Sequence, residues 1–187
     1  SVLRGGFEMG NVWYNEPKTL DTAFDVMGDI ILSTAAQQYG GFTVPEVDKI
    51  LSPYAQKSYN KYYEEFLKYS DPSWEGREER ARIYAWEKVC RDCDQGWQGI
   101  EYKLNTVGSS RGDYPFVTVT LGLGTGRFEK MISKSLLKVH MGGQGKAGHK
   151  KPVLFPKIVF LYDEEIHGDG KECEDVFEAG VACSAKT

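Results

Sequence analysis

The sequence predicts an α/β fold in which a helix-rich first half leads into a strand, a helix and a second strand. Two observations indicate this. Apolar residues recur at intervals of three and four through most of residues 17–105, which is the periodicity of amphipathic helices. Further on, β-branched runs at 116–121 and 154–162 flank another helical segment, an order typical of a parallel crossover unit.

The first two helices are long and amphipathic. The first is expected over residues 17–38, opening with a proline and ended by Gly40-Gly41. The second is expected to begin near Val44-Pro45 and to run towards Phe66, with some disturbance at Pro53. The predicted buried face of the first helix consists of Leu20, Ala23, Phe24, Met27 and Ile31.

A connector at residues 70–76 precedes a long, charge-rich helix expected over 77–105. Gly96 and Gly99 within it indicate either a bend or close helix packing. Its predicted core face consists of Ile83, Trp86, Cys90, Trp97, Ile100 and Leu104. The helix between the two strands is predicted from Phe128, Met131, Ile132, Ser135, Leu136 and Val139; a loop at 142–148 and a last helix at 173–183 complete the prediction.

Composition excludes some classes of function. The formal charge of −4 argues against general attraction to nucleic acid, so any nucleotide needs a local site. No apolar run approaches the roughly 20 residues of a membrane helix, and Ser1-Val2-Leu3-Arg4 has no signal-peptide pattern. A cytoplasmic location without membrane or nucleic-acid partners is therefore expected.

Cysteine and histidine spacing gives a weak metal signal. Cys90 and Cys93 form a single CxxC inside a helical stretch, where reduced thiols are a better interpretation than a metal site. His140, His149 and His167 have no spacing that places two of them on one face of an element. No metal ligand is predicted.

Two glycine-rich segments are candidates for phosphate binding. Gly122-Leu123-Gly124-Thr125-Gly126 lies between a strand and a helix, where either a phosphate-cradling loop or a tight structural turn fits. Gly142-Gly143-Gln144-Gly145-Lys146 is not a P-loop, because His140 and Ala147 occupy two required positions and a helix precedes it. Arg111-Gly112-Asp113 is interpreted as a turn.

A charged stripe is the remaining candidate. Lys18 lies in the predicted first helical turn, where free amide groups and the helix dipole favour an anion. Asp29 follows 11 residues later, roughly 16 Å along the same stripe. The pair could meet the phosphates and the ribose hydroxyls of a nucleotide, and a solvated charged face explains the same spacing.

Several segments resemble, in collinear order, the anaerobic (class III) ribonucleoside-triphosphate reductases, a family of glycyl radical enzymes. They are Gly5-Gly6-Phe7 with Gly10-Asn11, Glu16-Pro17-Lys18, Gln38-Tyr39-Gly40-Gly41-Phe42-Thr43, Leu51-Ser52-Pro53-Tyr54, Glu101-Tyr102 with Asn105-Thr106, Pro115-Phe116-Val117-Thr118, Phe155-Pro156-Lys157 and Cys183-Ser184-Ala185-Lys186.

The resemblance implies an enzyme that reduces ribonucleoside triphosphates with a stored glycyl radical, a transient thiyl radical and formate. Its fold is a ten-stranded α/β barrel, of which this chain would be an internal fragment: a helix-rich half-barrel with long dimer-interface helices. Residues 1–187 would form one domain. Its parts would be dimer and effector-site helices at 1–69, a long helix at 77–107, and a strand-helix-strand barrel element with a terminal helix at 114–187.

The resemblance also implies what this chain lacks. The family's radical cysteine would follow Thr187, the partner cysteine would precede Ser1, and the glycyl radical, ATP-cone and zinc site belong to other segments. No catalytic residue and no cofactor are therefore assigned to this chain, which alone is predicted to be inactive. Arg111-Gly112-Asp113 replaces the Asn-Gly-Gln that often precedes the Pro-Phe-Val-Thr strand.

The family's allosteric site is what the resemblance does place here. Lys18 and Lys61 match basic residues near the phosphates of a deoxynucleotide (dNTP) effector, and Asp29 matches a polar position near its sugar. Asn15 stands where some relatives have an acid. The implied partners are a second copy of the chain, the dNTP effector and, for the whole enzyme, a radical-SAM activating enzyme.

Two alternatives stay open. The chain could be a structural module that self-associates through its first two helices without binding nucleotide. It could also be a piece of another glycyl radical enzyme, such as a formate-lyase relative. Glu16-Pro17-Lys18 and Gln38-Tyr39-Gly40-Gly41 favour the reductase.

Overall fold

The computed structural model describes residues 3–37, 40–106 and 116–187. The turn predicted at Arg111-Gly112-Asp113 and residues Gln38, Tyr39 and Pro115 lie outside the described residues. The strands are β1 (Phe7–Met9), β2 (Val12–Tyr14), β3 (Phe42–Val44), β4 (Val117–Leu121) and β5 (Lys157–Phe160). The helices are α1 (Leu20–Gln37), α2 (Val47–Tyr69), α3 (Arg77–Thr106), α4 (Arg127–Gly142), α5 (Glu164–His167) and α6 (Glu174–Ser184).

A three-stranded parallel sheet lies at the centre of the fold, in the order β3-β4-β5. Phe42 pairs with Val117, and Val119 pairs with Ile158. The predicted crossover from β4 through α4 to β5 is confirmed. Strand β3 was not predicted, because a three-residue strand is too short to show a period of two and becomes a strand only through its pairing with β4.

Helices cover one face of this sheet and leave the other partly open. Val117, Val119 and Leu121 of β4 are fully buried, whereas the alternate residues Thr118 and Thr120 are only half-buried. On β5, the neighbour of Thr120 is Val159, which is 44% exposed. Parallel sheets usually have both faces covered. Among the described residues this sheet therefore has one face that is not fully covered.

Helices α1 and α2 agree with their predictions in part. The predicted apolar positions of α1 are all buried, but the helix begins at Leu20, three residues after Pro17. The expectation that Lys18 lies in the first helical turn is therefore wrong, since Lys18 precedes the helix. Helix α2 begins at Val47, later than expected, because β3 occupies the residues before it. The disturbance predicted at Pro53 is wrong: α2 is continuous through this residue. The buried Tyr54 and Ala55 beside it pack into the core and hold the helix in place.

The core face predicted for α3 is partly wrong. Ile83 is 51% exposed, and Trp86 and Cys90 are only partly buried. The face that packs towards the core consists of Ala81, Ala85, Val89, Cys93, Trp97, Ile100, Glu101 and Leu104. Small side chains dominate its first half, which allows α2 and α3 to approach closely. Choosing the large apolar residues as the core face therefore selects the wrong side of the first half of α3.

Gly96 marks close packing and not a bend, since α3 is continuous through Gly96 and Gly99. A Cβ atom on Gly96 would overlap the ring of Phe24, whereas one on Gly99 would meet nothing within 4 Å. The ring of Phe24 also packs edge-on against Trp97, with 4.9 Å between centroids. Because Gly96 has no side chain, Phe24, the largest apolar residue of α1, can pack directly against α3.

The remaining elements are short. The ends of α6 lie within one residue of their predicted positions, and those of α4 within three residues. The hairpin of β1 and β2 and the single turn α5 were not predicted, because three- and four-residue elements carry no readable period. No helix in the described ranges has both the length and the apolar character needed to cross a bilayer.

Candidate functional site

The junction between α1 and α2 contains two of the predicted site residues, and it is fixed by a buried hydrogen bond. The amide of Leu20, the first residue of α1, donates to the hydroxyl of Ser58 on α2 at 2.8 Å. Both residues are buried. The first amides of a helix have no partner within it, so Ser58 satisfies one of them and holds the start of α1 on α2.

The residues that lead into α1 are held by a second contact. The Lys57 ammonium group donates to the Glu16 carboxylate at 3.0 Å and to the carbonyl of Pro17 at 3.5 Å. The Gly5 amide donates to the other oxygen of Glu16 at 3.3 Å. The hydrogen bond from Lys57, followed by that from Gly5, lowers the pKa of Glu16 below its ordinary value. The segment before α1 is thus tied to α2 and to residues near the start of the chain.

Lys18 and Lys61 lie on either side of this junction. Lys18 is exposed, and it stands between Pro17 and Leu20, both of which are buried. Lys61 is also exposed and follows Lys57 by one helical turn, on the same side of α2. Two ammonium groups therefore project from backbone that is held in place. This arrangement could bind the phosphates of a ligand that approaches from outside.

Asp29 lies apart from the two lysines. It is partly buried on α1, roughly 14 Å along the helix axis from Leu20, which follows Lys18 by two residues. In residues 3–37, 40–106 and 116–187, no hydrogen bond or ion pair joins Lys18, Asp29 or Lys61 to another side chain. The structure thus brings the segments of Lys18 and Lys61 together. A ligand that also reaches Asp29 must extend along α1.

The phosphate-cradle interpretation of the Gly122–Gly126 loop is not supported, because its amides already have partners. The amides of Gly122 and Gly124 donate to one oxygen of Asp48, at 3.2 and 3.1 Å. The amide of Gly126 donates to the Glu129 carboxylate at 2.6 Å. A side-chain anion occupies the position that a phosphate would need. The loop is therefore a tight structural turn, which was the other interpretation of its sequence.

Asp48 itself was missed by the sequence analysis. It is fully buried in the first turn of α2, and Ser133 of α4 approaches the same carboxylate oxygen at 3.4 Å. One signal was available, since Asp48 lies close to the apolar residues Val47 and Leu51 at the start of a helix. A buried acid in such a place must find donors, and the glycine amides after β4 supply them.

Glu101 and His140 form a second buried polar pair. His140 Nδ1 lies 2.7 Å from the fully buried carboxylate of Glu101. The spacing of the histidines did not predict this pair, which joins α3 to α4. His167 is likewise a structural residue, with Nε2 2.7 Å from the carbonyl of Gly122 and Nδ1 2.9 Å from the amide of Asp163.

The four cysteines are free thiols. Cys90 and Cys93 lie on α3 as predicted, and burial raises the pKa of Cys93 to about 12. No group of three or more histidine, cysteine or acidic side chains in the described part of the chain is arranged to hold a metal ion.

Comparison with known proteins assigns the family. A family model described as anaerobic ribonucleoside-triphosphate reductase matches residues 1–187. The chain belongs to this family. It is 38% identical over 187 residues to the anaerobic ribonucleoside-triphosphate reductase of Enterobacteria phage T4, covering 99% of this chain and 29% of that protein. Proteins of the same name from Haemophilus influenzae and Escherichia coli are 36% and 33% identical over 186 residues, which is 99% of this chain and 25% of each relative.

The chain thus spans between 25% and 29% of the length of these anaerobic reductases. The collinear motifs from Gly5 to Lys186 and the family match cover the same residues. The predicted family is confirmed.

Proposed function

We propose that this chain is part of an anaerobic ribonucleotide reductase and contains its dimer helices and its dNTP specificity site. The whole enzyme would convert ribonucleoside triphosphates to deoxyribonucleoside triphosphates by radical chemistry, with formate as the reductant. The observation that carries the proposal is the family match over residues 1–187. It favours the reductase over another glycyl radical enzyme.

The effector site is proposed at the junction of α1 and α2. Lys18 and Lys61 would bind the effector phosphates, since ammonium groups form charge-assisted hydrogen bonds with phosphate oxygens. Asp29 would accept a hydrogen bond from the sugar. The buried contact of Leu20 with Ser58 supports this site, because it fixes the two cationic segments before a ligand arrives. A preorganised site loses less entropy on binding.

The exposure of both lysines is consistent with a site that a second copy completes. An exposed ammonium group binds a phosphate weakly, because water and salt screen the attraction. A partner subunit packed on the first two helices would exclude that water and strengthen the contact. The proposed functional unit is therefore a homodimer in the cytoplasm, and the whole enzyme would need a radical-SAM activating enzyme to install its glycyl radical.

The partly open face of the sheet fits a place in a larger barrel. Thr118, Thr120 and Val159 would face the barrel interior, while α2 and α4 lie on the outside. No residue of this chain is assigned a catalytic role. An effector at the α1–α2 junction would change substrate choice only through its different affinity for alternative states of the active-site loops.

Calorimetric titration with dATP, dGTP and dTTP tests the effector site. The variants are Lys18→Ala, Lys61→Ala and Asp29→Asn, and the matched control is Lys150→Ala, which removes an exposed cation far along the chain. We expect saturable binding that weakens about tenfold in each site variant and is unchanged in the control. A folded wild-type chain that binds none of the three nucleotides would leave only the structural self-association module.

A further inference from the structure

A groove of about 430 Å³ lies between α3, α4 and α6. Its volume falls in the range of small-ligand sites. Four cations line it, all from α4, together with two carboxylates, one from α3 and one from α6. The groove therefore has an excess of two positive charges (four minus two), although the chain as a whole carries a charge of −4.

The cations form a single stripe. Arg127, Lys130, Lys134 and Lys138 follow one another at intervals of three or four residues, so they lie on one face of α4. The opposite face of α4 is buried in the core. The amphipathic pattern of this helix thus requires a polar face, but it does not require that this face be positive at every turn.

Asp175 shows how an anion sits in this stripe. One of its carboxylate oxygens lies 2.9 Å from the Lys130 ammonium group, and the other lies 2.7 Å from that of Lys134. Burial raises the pKa of Asp175, but the hydrogen bonds and charges of Lys134 and Lys130 outweigh burial, so this pKa lies below its ordinary value. A carboxylate from α6 thus bridges two lysines in the way that two oxygens of a phosphate would.

The other end of the groove is aromatic and apolar. The Arg127 guanidinium group lies 4.6 Å from the ring centroid of Tyr59 and 5.6 Å from that of Trp86. Cys90 and Met131 line the groove next to them. Lysines at one end, and at the other a partly exposed tryptophan with Arg127 against its ring, are complementary to a ligand with both charge and a flat apolar part.

We propose that the groove between α3, α4 and α6 is a binding site for a small polyphosphate ligand. Lys130 and Lys134 bind its phosphate oxygens, and Asp175 competes with the ligand for these two lysines. Lys138 extends the stripe and is itself paired with Asp94 of α3. This site is separate from the effector site at the α1–α2 junction, which involves none of these residues. Its existence does not depend on the proposed effector site.

Inorganic tripolyphosphate and ATP are the probes, each titrated into the 187-residue chain at low salt. We expect saturable binding of tripolyphosphate that weakens about tenfold in Lys130→Gln and in Lys134→Gln. Asp175→Asn should tighten binding several-fold, because it removes the competing carboxylate while keeping its shape. Lys150→Gln, which removes an exposed cation outside the groove, should leave the affinity unchanged.

The lysine variants should weaken binding, whereas Asp175→Asn should tighten it. These opposite effects make the test specific. A purely structural role for the ion pairs predicts that Asp175→Asn destabilises the fold without tightening binding. Absence of tripolyphosphate binding, or lysine variants that bind as wild type does, would overturn the proposal. Tighter binding of ATP than of tripolyphosphate, reduced by Trp86→Ala, identifies a nucleotide as the source of the phosphates. If ATP and tripolyphosphate bind with equal affinity and respond to the variants in the same way, the groove recognises the phosphates alone.

Discussion

The side-chain amide of Asn105 makes two hydrogen bonds with the backbone of Phe155. Its Nδ2 donates to the Phe155 carbonyl at 2.7 Å, and its Oδ1 accepts from the Phe155 amide at 3.2 Å. Oδ1 also accepts from the amide of Leu154 at 3.0 Å. The end of α3 thus holds the segment that enters β5 in place, and it does so with a single side chain.

Replacing Asn105 with alanine should lower the free energy of unfolding by about 2 kcal/mol. The change removes the partner of the two partly buried backbone groups of Phe155 and of the exposed amide of Leu154, and the two partly buried groups are costly to leave unpaired. Urea unfolding followed by circular dichroism measures this. The control is Asn60→Ala, which removes an exposed asparagine whose side chain accepts a hydrogen bond from Gln56, and it should change stability by less than about 0.5 kcal/mol. Equal effects of the two variants would contradict the role of Asn105.

Gly96 and Gly99 provide a matched pair on one helix. Gly96→Ala should destabilise the chain by about 1 to 2 kcal/mol, because its Cβ would overlap the buried ring of Phe24. Gly99→Ala should stabilise it by about 0.5 to 1 kcal/mol, because the site is open and alanine favours the helix. Thermal and urea unfolding of both variants give the comparison. Stabilisation by both would mean that α1 does not pack against α3 at Gly96.

Asp48→Ala should be the most destabilising of these substitutions, with a loss of about 3 kcal/mol or more. It leaves the amides of Gly122 and Gly124 without their buried acceptor. Asp48→Asn keeps one acceptor oxygen and the shape, so its loss should be smaller. Equilibrium unfolding of the two variants separates the loss of the acceptor from the loss of the charge. An alanine variant as stable as wild type would show that the loop does not need this carboxylate.

The contact of Glu16 with Lys57 predicts an acid-sensitive junction. The pKa of Glu16 is lower in the folded chain than its ordinary value of 4.5. A depressed pKa contributes stability above the ordinary value, and this contribution is lost as the pH falls through the folded pKa. Wild type should therefore lose more stability than Glu16→Gln when the pH falls from 6 to 3, measured by urea unfolding. Glu65→Gln, which changes an exposed acid on α2, should retain the wild-type dependence.

Much of the helical architecture could be predicted, because long elements repeat their pattern many times. Five apolar positions of α1 indicate its buried face, and each of them is buried in the structure. The strand β3 and the β1–β2 hairpin could not be predicted in this way, since three residues contain no period. The wrong stripe on α3 has another cause: its first half packs through Ala81, Ala85 and Val89, so residue size misled the prediction and Ile83 is exposed.

The polar sites were harder to predict than the helices. Asp48 meets its partners 74 and 76 residues later in the chain, and Glu101 meets His140 39 residues later. Such pairs are set by the packing of α2, α3 and α4, and no local spacing encodes them. Among the proposed effector residues, Lys18 and Asp29 were chosen by spacing and by family resemblance, and Lys61 by family resemblance. The structure adds the contacts that hold the Lys18 and Lys61 segments together.

Sedimentation equilibrium with and without dATP, dGTP or dTTP tests the central claim most directly. If the effector binds at the α1–α2 junction between two copies, an effector must lower the dimer dissociation constant, because a ligand that binds only the dimer stabilises it. Lys18→Ala must reduce this shift, and Lys150→Ala must leave it unchanged. A chain that stays monomeric with every nucleotide, or a dimer whose dissociation constant none of them changes, would contradict the account.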